Sequence, residues 1–444
     1  MTRATTPLIC VILAVTSFPS AAQSPPVRLT LADAITRGFE NSHRLAEARA
    51  REEGARAAVT SVDLTRKPIL GATAGYTRTN HVQEFSVPQP GRERLVVYPD
   101  LPDNFVSRLS FQWPIYTAGR IDALERAAVA EADAAGADIV TARADLRLEI
   151  VRAYWAAATA REAVRVLEES AARAEAQLSD ARHRFDVGLI PPNEVLSLDA
   201  QRSRERAQLI ESSNFRESAL IDLRRLIGAP PDQVIELADS LEAAPQGAQA
   251  ADVPELVTQA LAERPERKAL TLRLGGAEAR KEAALTATRP TVAFAGGLDY
   301  ANPNARIFPK MRAWQESWDV GVFVNWNFID FGRAKSQAAE AAAAATATRE
   351  RIAEFDSIVS ADVRQRLLDL DSSQAMVRAA ADAVRSAAEA RRVITDRFSA
   401  GVATSTDVIV AQVALLESEM TRTRALAGVR LAEARLERSM GRQP

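Results

Sequence analysis

The chain has 444 residues with 5% aromatics, 26% charged residues and 56 basic against 58 acidic side chains, so it can bury several cores and is close to electroneutral. That balance excludes the strong basic excess of a nucleic-acid-binding protein, and a single cysteine excludes a disulfide framework. An alanine-rich, aromatic-poor mixture of this kind is typical of long packed helices.

The N-terminus reads Met1-Thr2-Arg3, then an apolar run from 7 to 15, then Ser20-Ala21-Ala22. A short basic region, an apolar stretch too short to span a bilayer and a small-residue cleavage site predict an export signal over 1–22, cleaved after Ala22. Cys10 falls inside that leader behind Leu8-Ile9, which is not a lipidation context. No later stretch has 18 consecutive apolar residues, so entry into a membrane would have to be made by strands.

Residues 29–66 have helical periodicity and stop before Pro68, where helix is disfavoured for the preceding residue. Residues 69–79 and 105–116 then alternate, with Leu70, Ala72, Ala74 and Tyr76 on one face, and Phe105, Leu109, Phe111, Trp113 and Ile115 opposite Arg108, Ser110 and Gln112. The spacing predicts a β-hairpin over 69–116 with a polar, proline-rich loop at 81–104. A helix follows over 118–187, about 105 Å long at 1.5 Å per residue. Its positions 150, 153, 157, 160, 164, 167, 171, 174, 178, 181 and 185 are Ile, Ala, Ala, Ala, Val, Leu, Ala, Ala, Leu, Ala and Phe, a coiled-coil seam. The run Arg184-Phe185-Asp186-Val187-Gly188-Leu189 ends it at a glycine suited to the left-handed helix C-cap. A return helix is expected over 192–227, then an irregular connection over 228–253 with a short strand at 234–237.

The second half repeats this plan. Its first helix contains Gly275-Gly276, a kink or a close-packing point. Strands over a 291–329 hairpin carry Val292, Phe294, Leu298 and Tyr300 on one stripe and Trp318, Val320, Val322, Val324, Trp326 and Phe328 on the other. A long helix is expected over 332–400, a turn at Arg397-Phe398-Ser399-Ala400-Gly401-Val402, and a return helix over 404–440. The two turn glycines, Gly188 and Gly401, lie 213 residues apart, as do Trp113 and Trp326. Lys67-Pro68 and Arg289-Pro290 are offset by 222, leaving nine extra residues in the first hairpin's loop. Two motifs sharing one spacing indicate a tandem duplication, 23–227 and 254–444.

A soluble four-stranded sheet covered by helices is one reading of the hairpins. Against it, helices of roughly 100 Å do not fit across a sheet about 30 Å wide, and Tyr76, Trp113, Tyr116, Tyr300, Trp318 and Trp326 stand near strand ends as interfacial aromatics do. In lipid, four strands leave two open edges, which requires oligomerisation; strand physics leaves two, three or four copies open.

The paired repeats, the strand starts at Pro68 and Pro290, Ile115-Tyr-Thr-Ala-Gly-Arg120 with Phe328-Ile-Asp-Phe-Gly-Arg333, and the two Arg-Phe-x-x-Gly turns together resemble outer-membrane efflux proteins of the TolC family over essentially the whole mature chain. The resemblance implies a mostly α fold with membrane β: a homotrimer whose twelve-stranded β-barrel in the Gram-negative outer membrane continues into a twelve-helix periplasmic α-barrel, with residues 228–253 in an equatorial region. It implies a passive exit duct that works with a periplasmic adaptor and an inner-membrane pump of the resistance-nodulation-division or ABC type. Type I protein secretion is the alternative, and a periplasmic coiled-coil adaptor the rival from another class. Adaptor docking would fall on the hairpin tips, at Arg184, Val187, Gly188, Leu189, Arg397, Ala400, Gly401 and Val402. Glu194 and Asp407, each six residues past its turn glycine, are placed to interact with a helix N-terminus, and Thr404 with Asp407 to form a capping pair; the resemblance adds a ring of acids constricting the entrance. His43, His81 and His183 are isolated from one another, no nucleophile, phosphate loop or metal spacing emerges, and neither catalysis nor a cofactor is expected.

Overall fold

The computed structural model describes residues 27–242 and 252–442, so the expected leader and residues 243–251 of the connection lie outside the described residues. In chain order the elements are β1 (Val27–Leu29), α1 (Leu31–Asn41), α2 (His43–Leu64), β2 (Ile69–Arg78), β3 (Phe85–Gln89), β4 (Arg92–Tyr98), β5 (Asp103–Tyr116), α3 (Arg120–Asp186), α4 (Pro192–Ile227) and β6 (Ile235–Leu237). They continue with α5 (Val253–Glu263), α6 (Pro265–Leu285), β7 (Thr291–Asn302), β8 (Gln315–Asn325), α7 (Arg333–Ser399) and α8 (Ser405–Ser439). The described residues form two compact units: one holds 27–41 with 150–242 and 384–427, the other 42–149, 252–383 and 428–442.

The expected single helix over 29–66 is corrected. Leu29 is the buried end of β1, which pairs in parallel with β6, Val27 opposite Ile235 and Leu29 opposite Leu237. Thr30 then opens α1 through a capping box, its hydroxyl donating to Asp33 at 2.7 Å and accepting from the Asp33 N–H at 3.1 Å. The helix stops at Ser42, whose side chain accepts from the Leu45 N–H and starts α2. The second half breaks 222 residues later at Arg264, held extended (ψ 121°) before Pro265. Apolar periodicity runs through such a break because both segments keep similar spacing.

In the sheet-bearing unit β2, β5, β7 and β8 form one antiparallel sheet in that order. Tyr76 lies opposite Phe105, Leu109 opposite Leu298, and Leu298 opposite Trp318, so the main apolar stripes of all four strands share a face, while Val106 and Phe323 lie on the other. That face is open: Leu70 is 75% exposed, Trp318 71% and Val322 63%. The opposite face carries charge, with Arg108 donating to Asp299 at 2.7 Å and to Asp319 at 2.9 Å across three strands. A soluble sheet buries its apolar face and exposes its charges; this one does the reverse. The edges of β2 and β8 are unpaired among the described residues.

Two strand expectations are corrected. The loop at 81–104 contains a further hairpin, β3 with β4, around Gly91 at φ +75°; Pro90-Gly91 between two alternating runs was its sequence signal. β8 ends at Asn325 and not at 329, because the residues beyond it serve the start of α7: Asp330 accepts from the N–H groups of Gly332 at 3.0 Å and Ala334 at 2.8 Å. The other helix and strand ends fall within two residues of expectation, the ordinary scatter of helix ends.

The helical core of this unit gathers Leu256 and Ala260 of α5, Val359, Val363 and Leu370 of α7, Val429 and Leu436 of α8, and Met440 just past its end. Gly276 allows close packing of α6 on α3, since a Cβ there would sit 3.4 Å from both the Ala127 carbonyl and Ala130. In the other unit the seam of α3 is buried from Ile150 to Ala181, with Ala153 and Ala171 half-buried, and Phe185 emerges at its end. Tyr154 ties α3 to the β1–β6 pair, its hydroxyl 2.8 Å from Asp239 and 3.0 Å from the Leu29 carbonyl; burial pushes its pKa up. Among the described residues, no helix is long and apolar enough to cross a membrane.

Candidate functional site: the hairpin tips and the aromatic band

Both tips are Schellman turns. Gly188 (φ +74°) donates its N–H to the Phe185 carbonyl at 2.9 Å and Leu189 donates to Arg184 at 2.8 Å; Gly401 (φ +75°) donates to Phe398 and Val402 to Arg397, both at 3.0 Å. The turn geometry projects apolar side chains into solvent, with Val187 70%, Leu189 74% and Val402 63% exposed. Arg397, Ala400 and Gly401 are exposed too.

The two tips share a backbone but not their contacts. Arg184 is half-buried: its Nη1 donates to the Phe398 carbonyl at 3.3 Å, its guanidinium lies 5.3 Å from the Phe398 ring centroid, and its Nε pairs with Asp180 at 2.9 Å. Phe398 is buried, whereas the corresponding Phe185 is 42% exposed.

The acids divide in the same way. Asp407 completes the capping box of α8, accepting from the Thr404 N–H at 2.9 Å and hydroxyl at 2.8 Å, while its own N–H donates to the Thr404 hydroxyl at 3.3 Å. Those donors hold its carboxyl below the usual carboxylate range, the backbone N–H contributing most. Glu194 occupies the corresponding place in α4, but there the N-cap is Pro191, which has no N–H to offer. Its carboxylate instead crosses to the other hairpin and accepts the Ser405 N–H at 2.7 Å, satisfying an orphan donor of α8. Sequence reasoning placed Glu194 at a helix N-terminus but assigned no partner 211 residues away; the proline at the N-cap was the signal that no local one existed.

Two expected outcomes follow from this geometry. Glu194→Ala should weaken the start of α8 by about 1–2 kcal/mol, read as faster hydrogen exchange at the Ser405 amide. Because Asp407 titrates lower in the fold than unfolded, its cap contributes fully above the ordinary aspartate range near pH 4 and fades as pH falls through its lowered value. Exchange in the first turn of α8 should therefore accelerate, relative to unprotected peptide, on acidification through that window; Asp407→Asn should remove this pH dependence.

The six aromatic residues expected at an interface are all exposed, from 46% for Trp113 to 71% for Trp318. Trp113 and Trp326 make matching bonds, their indole N–H groups donating to the carbonyls of Arg66 at 2.9 Å and Thr288 at 3.0 Å, each two residues before the proline that precedes a strand. Tyr76 donates its hydroxyl to Asp103 at 2.9 Å. Trp314, which the sequence reading passed over because it lies outside the strands, stacks on Tyr300 with centroids 5.0 Å apart.

An open apolar sheet with helical hairpins ending in solvent-facing apolar turns is the build of an outer-membrane channel subunit. The profile of the family described as outer membrane efflux protein matches twice, over residues 35–229 and 256–442, and the chain belongs to that family. Outer membrane protein TolC of Vibrio cholerae is 24% identical over 419 residues, 93% of this chain and 90% of that protein. Protein CyaE of Bordetella pertussis is 29% identical over 204 residues, a match that spans 46% of this chain and 43% of CyaE. The crystal structure of the outer membrane protein VceC from Vibrio cholerae superposes with a TM-score of 0.74 at 20% identity, covering 93% of this chain and 96% of that one, a likeness of fold. The protein is thus one of the Gram-negative outer membrane, with a long periplasmic helical part.

Proposed function

We propose that this chain is the passive exit duct of a tripartite efflux assembly. The observation that carries the reading is the four-stranded sheet with an open apolar face, a charged opposite face and two unpaired edges. Three copies close the edges into a twelve-stranded barrel with the Arg108 face inward, and their helices continue it as a twelve-helix barrel; the double match of one family profile supports an internal duplication. Energy comes from an inner-membrane pump, and a periplasmic adaptor docks on the tips at 187–189 and 400–402.

The test is detergent extraction from outer-membrane fractions as a trimer that conducts ions in planar bilayers and co-purifies with an adaptor and a resistance-nodulation-division pump. An ABC exporter in that complex would instead make the duct part of type I secretion. A monomer soluble without detergent would sink the reading in favour of a periplasmic coiled-coil protein.

Gating falls to the tips, where Asp407 lines the entrance and Glu194 holds the two hairpins together. Asp407→Ala should raise single-channel conductance and reduce cation preference. Unchanged values for both would remove Asp407 from the gate and leave it a helix cap.

A further inference from the structure

The segment joining β7 to β8, residues 303–314, contains three basic residues, Arg306, Lys310 and Arg312, and no acidic one. They are interspersed with Phe308, Met311 and Trp314, which are 69%, 48% and 46% exposed. The segment is pinned at its base. The buried Asn304 amide donates to the Gln315 carbonyl and the Ser317 hydroxyl, both at 3.0 Å, and accepts the Arg306 N–H at 2.9 Å. Arg306 is engaged by Asp319 at 3.0 Å and by the Trp318 carbonyl at 2.8 Å.

Arg312 is turned outward, its side chain 69% exposed, and Lys310 is half-buried. Lys310 lies 5.3 Å from the Tyr98 ring centroid, and Arg312 lies 3.6 Å from Asp103, a carboxylate already held by Arg78 at 2.9 Å. Glu316, the register partner of Tyr300, also lies on this margin, and the segment joining β2 to β5 adds Glu84, Glu93 and Asp100, of which Asp100 is held by His81 at 2.6 Å and by the Val82 N–H at 3.0 Å. Just inside the margin, on the apolar face, Tyr76 packs on Phe105 at 4.9 Å, Phe105 on Trp314 at 6.0 Å and Trp314 on Tyr300 at 5.0 Å. Cations set on the rim of an exposed aromatic platform fit an amphipathic anion: acyl chains against the rings and a phosphate against the cations.

The position of the rim identifies which anion. β7 follows α6 and β8 leads to α7, so the 303–314 segment lies at the end of the strands away from those helices. With the helices periplasmic, this end meets the outer leaflet, whose lipid is a phosphorylated glycolipid. We infer that Arg78, Lys310 and Arg312, over Tyr76, Phe105, Tyr300 and Trp314, form a binding site for the phosphates of that glycolipid. The inference rests on the outer-membrane placement and is independent of adaptor, pump or gate.

The test is native mass spectrometry of the assembled, detergent-solubilised protein titrated with bisphosphorylated lipid A, dephosphorylated lipid A and phosphatidylglycerol. Bisphosphorylated lipid A is expected to bind most tightly, and the double variant Lys310→Gln/Arg312→Gln to lose roughly thirtyfold, about fivefold per basic side chain at an anionic surface. Equal binding of the two forms of lipid A by the unmodified protein would overturn the site even if the variant failed to assemble. Equally tight phosphatidylglycerol would overturn its assignment to the glycolipid, and an unchanged double variant would overturn the role of the two side chains. A protein absent from outer-membrane fractions would fail at the earlier step of placement.

Discussion

Arg264→Ala should destabilise the sheet-bearing unit by about 3–5 kcal/mol, the range seen when one partner of a buried ion pair is removed. Arg264 is 7% exposed and stands at the joint where α5 ends and α6 begins. Its Nε donates to the Ser439 carbonyl at 2.6 Å, closing the C-terminus of α8, and its Nη2 pairs with Asp362 of α7 at 2.5 Å. Among the described residues, removing the side chain leaves that carbonyl without its partner and Asp362 with Arg366 alone, at 3.1 Å. A nearby bridge adds α3 to this joint: Arg438 of α8, 15% exposed in its side chain, joins Asp145 of α3 and Glu266 of α6. Arg264→Lys should recover little, because one ammonium group lacks the guanidinium's forked donors. The measurement is the thermal unfolding midpoint of the purified protein. An alanine variant that melts with the parent would mean that the joint is held by packing alone.

Leu189→Asp should abolish co-purification with the adaptor while leaving trimer assembly unchanged. Leu189 is 74% exposed, so its replacement removes no packing within the chain, whereas a central apolar anchor in an interface contributes about 2 kcal/mol or more, roughly thirtyfold in affinity. Gly188→Val reaches the same end by another route. A Cβ there meets nothing within 4 Å, so the cost is in the backbone: at φ +74° a side-chain-bearing residue is strained by about 1–2 kcal/mol. The turn must then change shape, and Val187 and Leu189 lose their common presentation. Val402→Asp is expected to weaken binding less, since the second tip exposes one large apolar side chain, Val402, where the first exposes both Val187 and Leu189. Undiminished adaptor capture by Leu189→Asp would take the docking surface away from this tip.

Much of the tip could be read from the chain itself because its determinants are local. A Schellman turn is fixed by one glycine and the four residues before it, so Arg184 to Leu189 and Arg397 to Val402 predicted their own geometry. Strand alternation set the face of every residue from Leu70 to Tyr76 and from Trp318 to Val324, and register followed because a one-residue slip would turn Trp318 and Asp319 to the wrong sides. The 213-residue spacing carried the repeat without any contact being known.

Tertiary structure decided the features whose partners are remote or whose signals are weak. Periodicity could not separate α1 from α2, since Ser42 interrupts the backbone and not the apolar pattern. Nor could it pair Arg108 with Asp299 and Asp319, or Glu194 with Ser405, because separations of 191 to 211 residues are closed only when particular strands and helices become neighbours. The sequence by itself thus determined two matching hairpins, two matching turns and an amphipathic sheet, all set by nearest-neighbour chemistry. Only the fold decided where the tip side chains find their partners: Glu194 reaches the Ser405 N–H, the buried Phe398 receives Arg184, and packing brings both contacts across from one hairpin to the other.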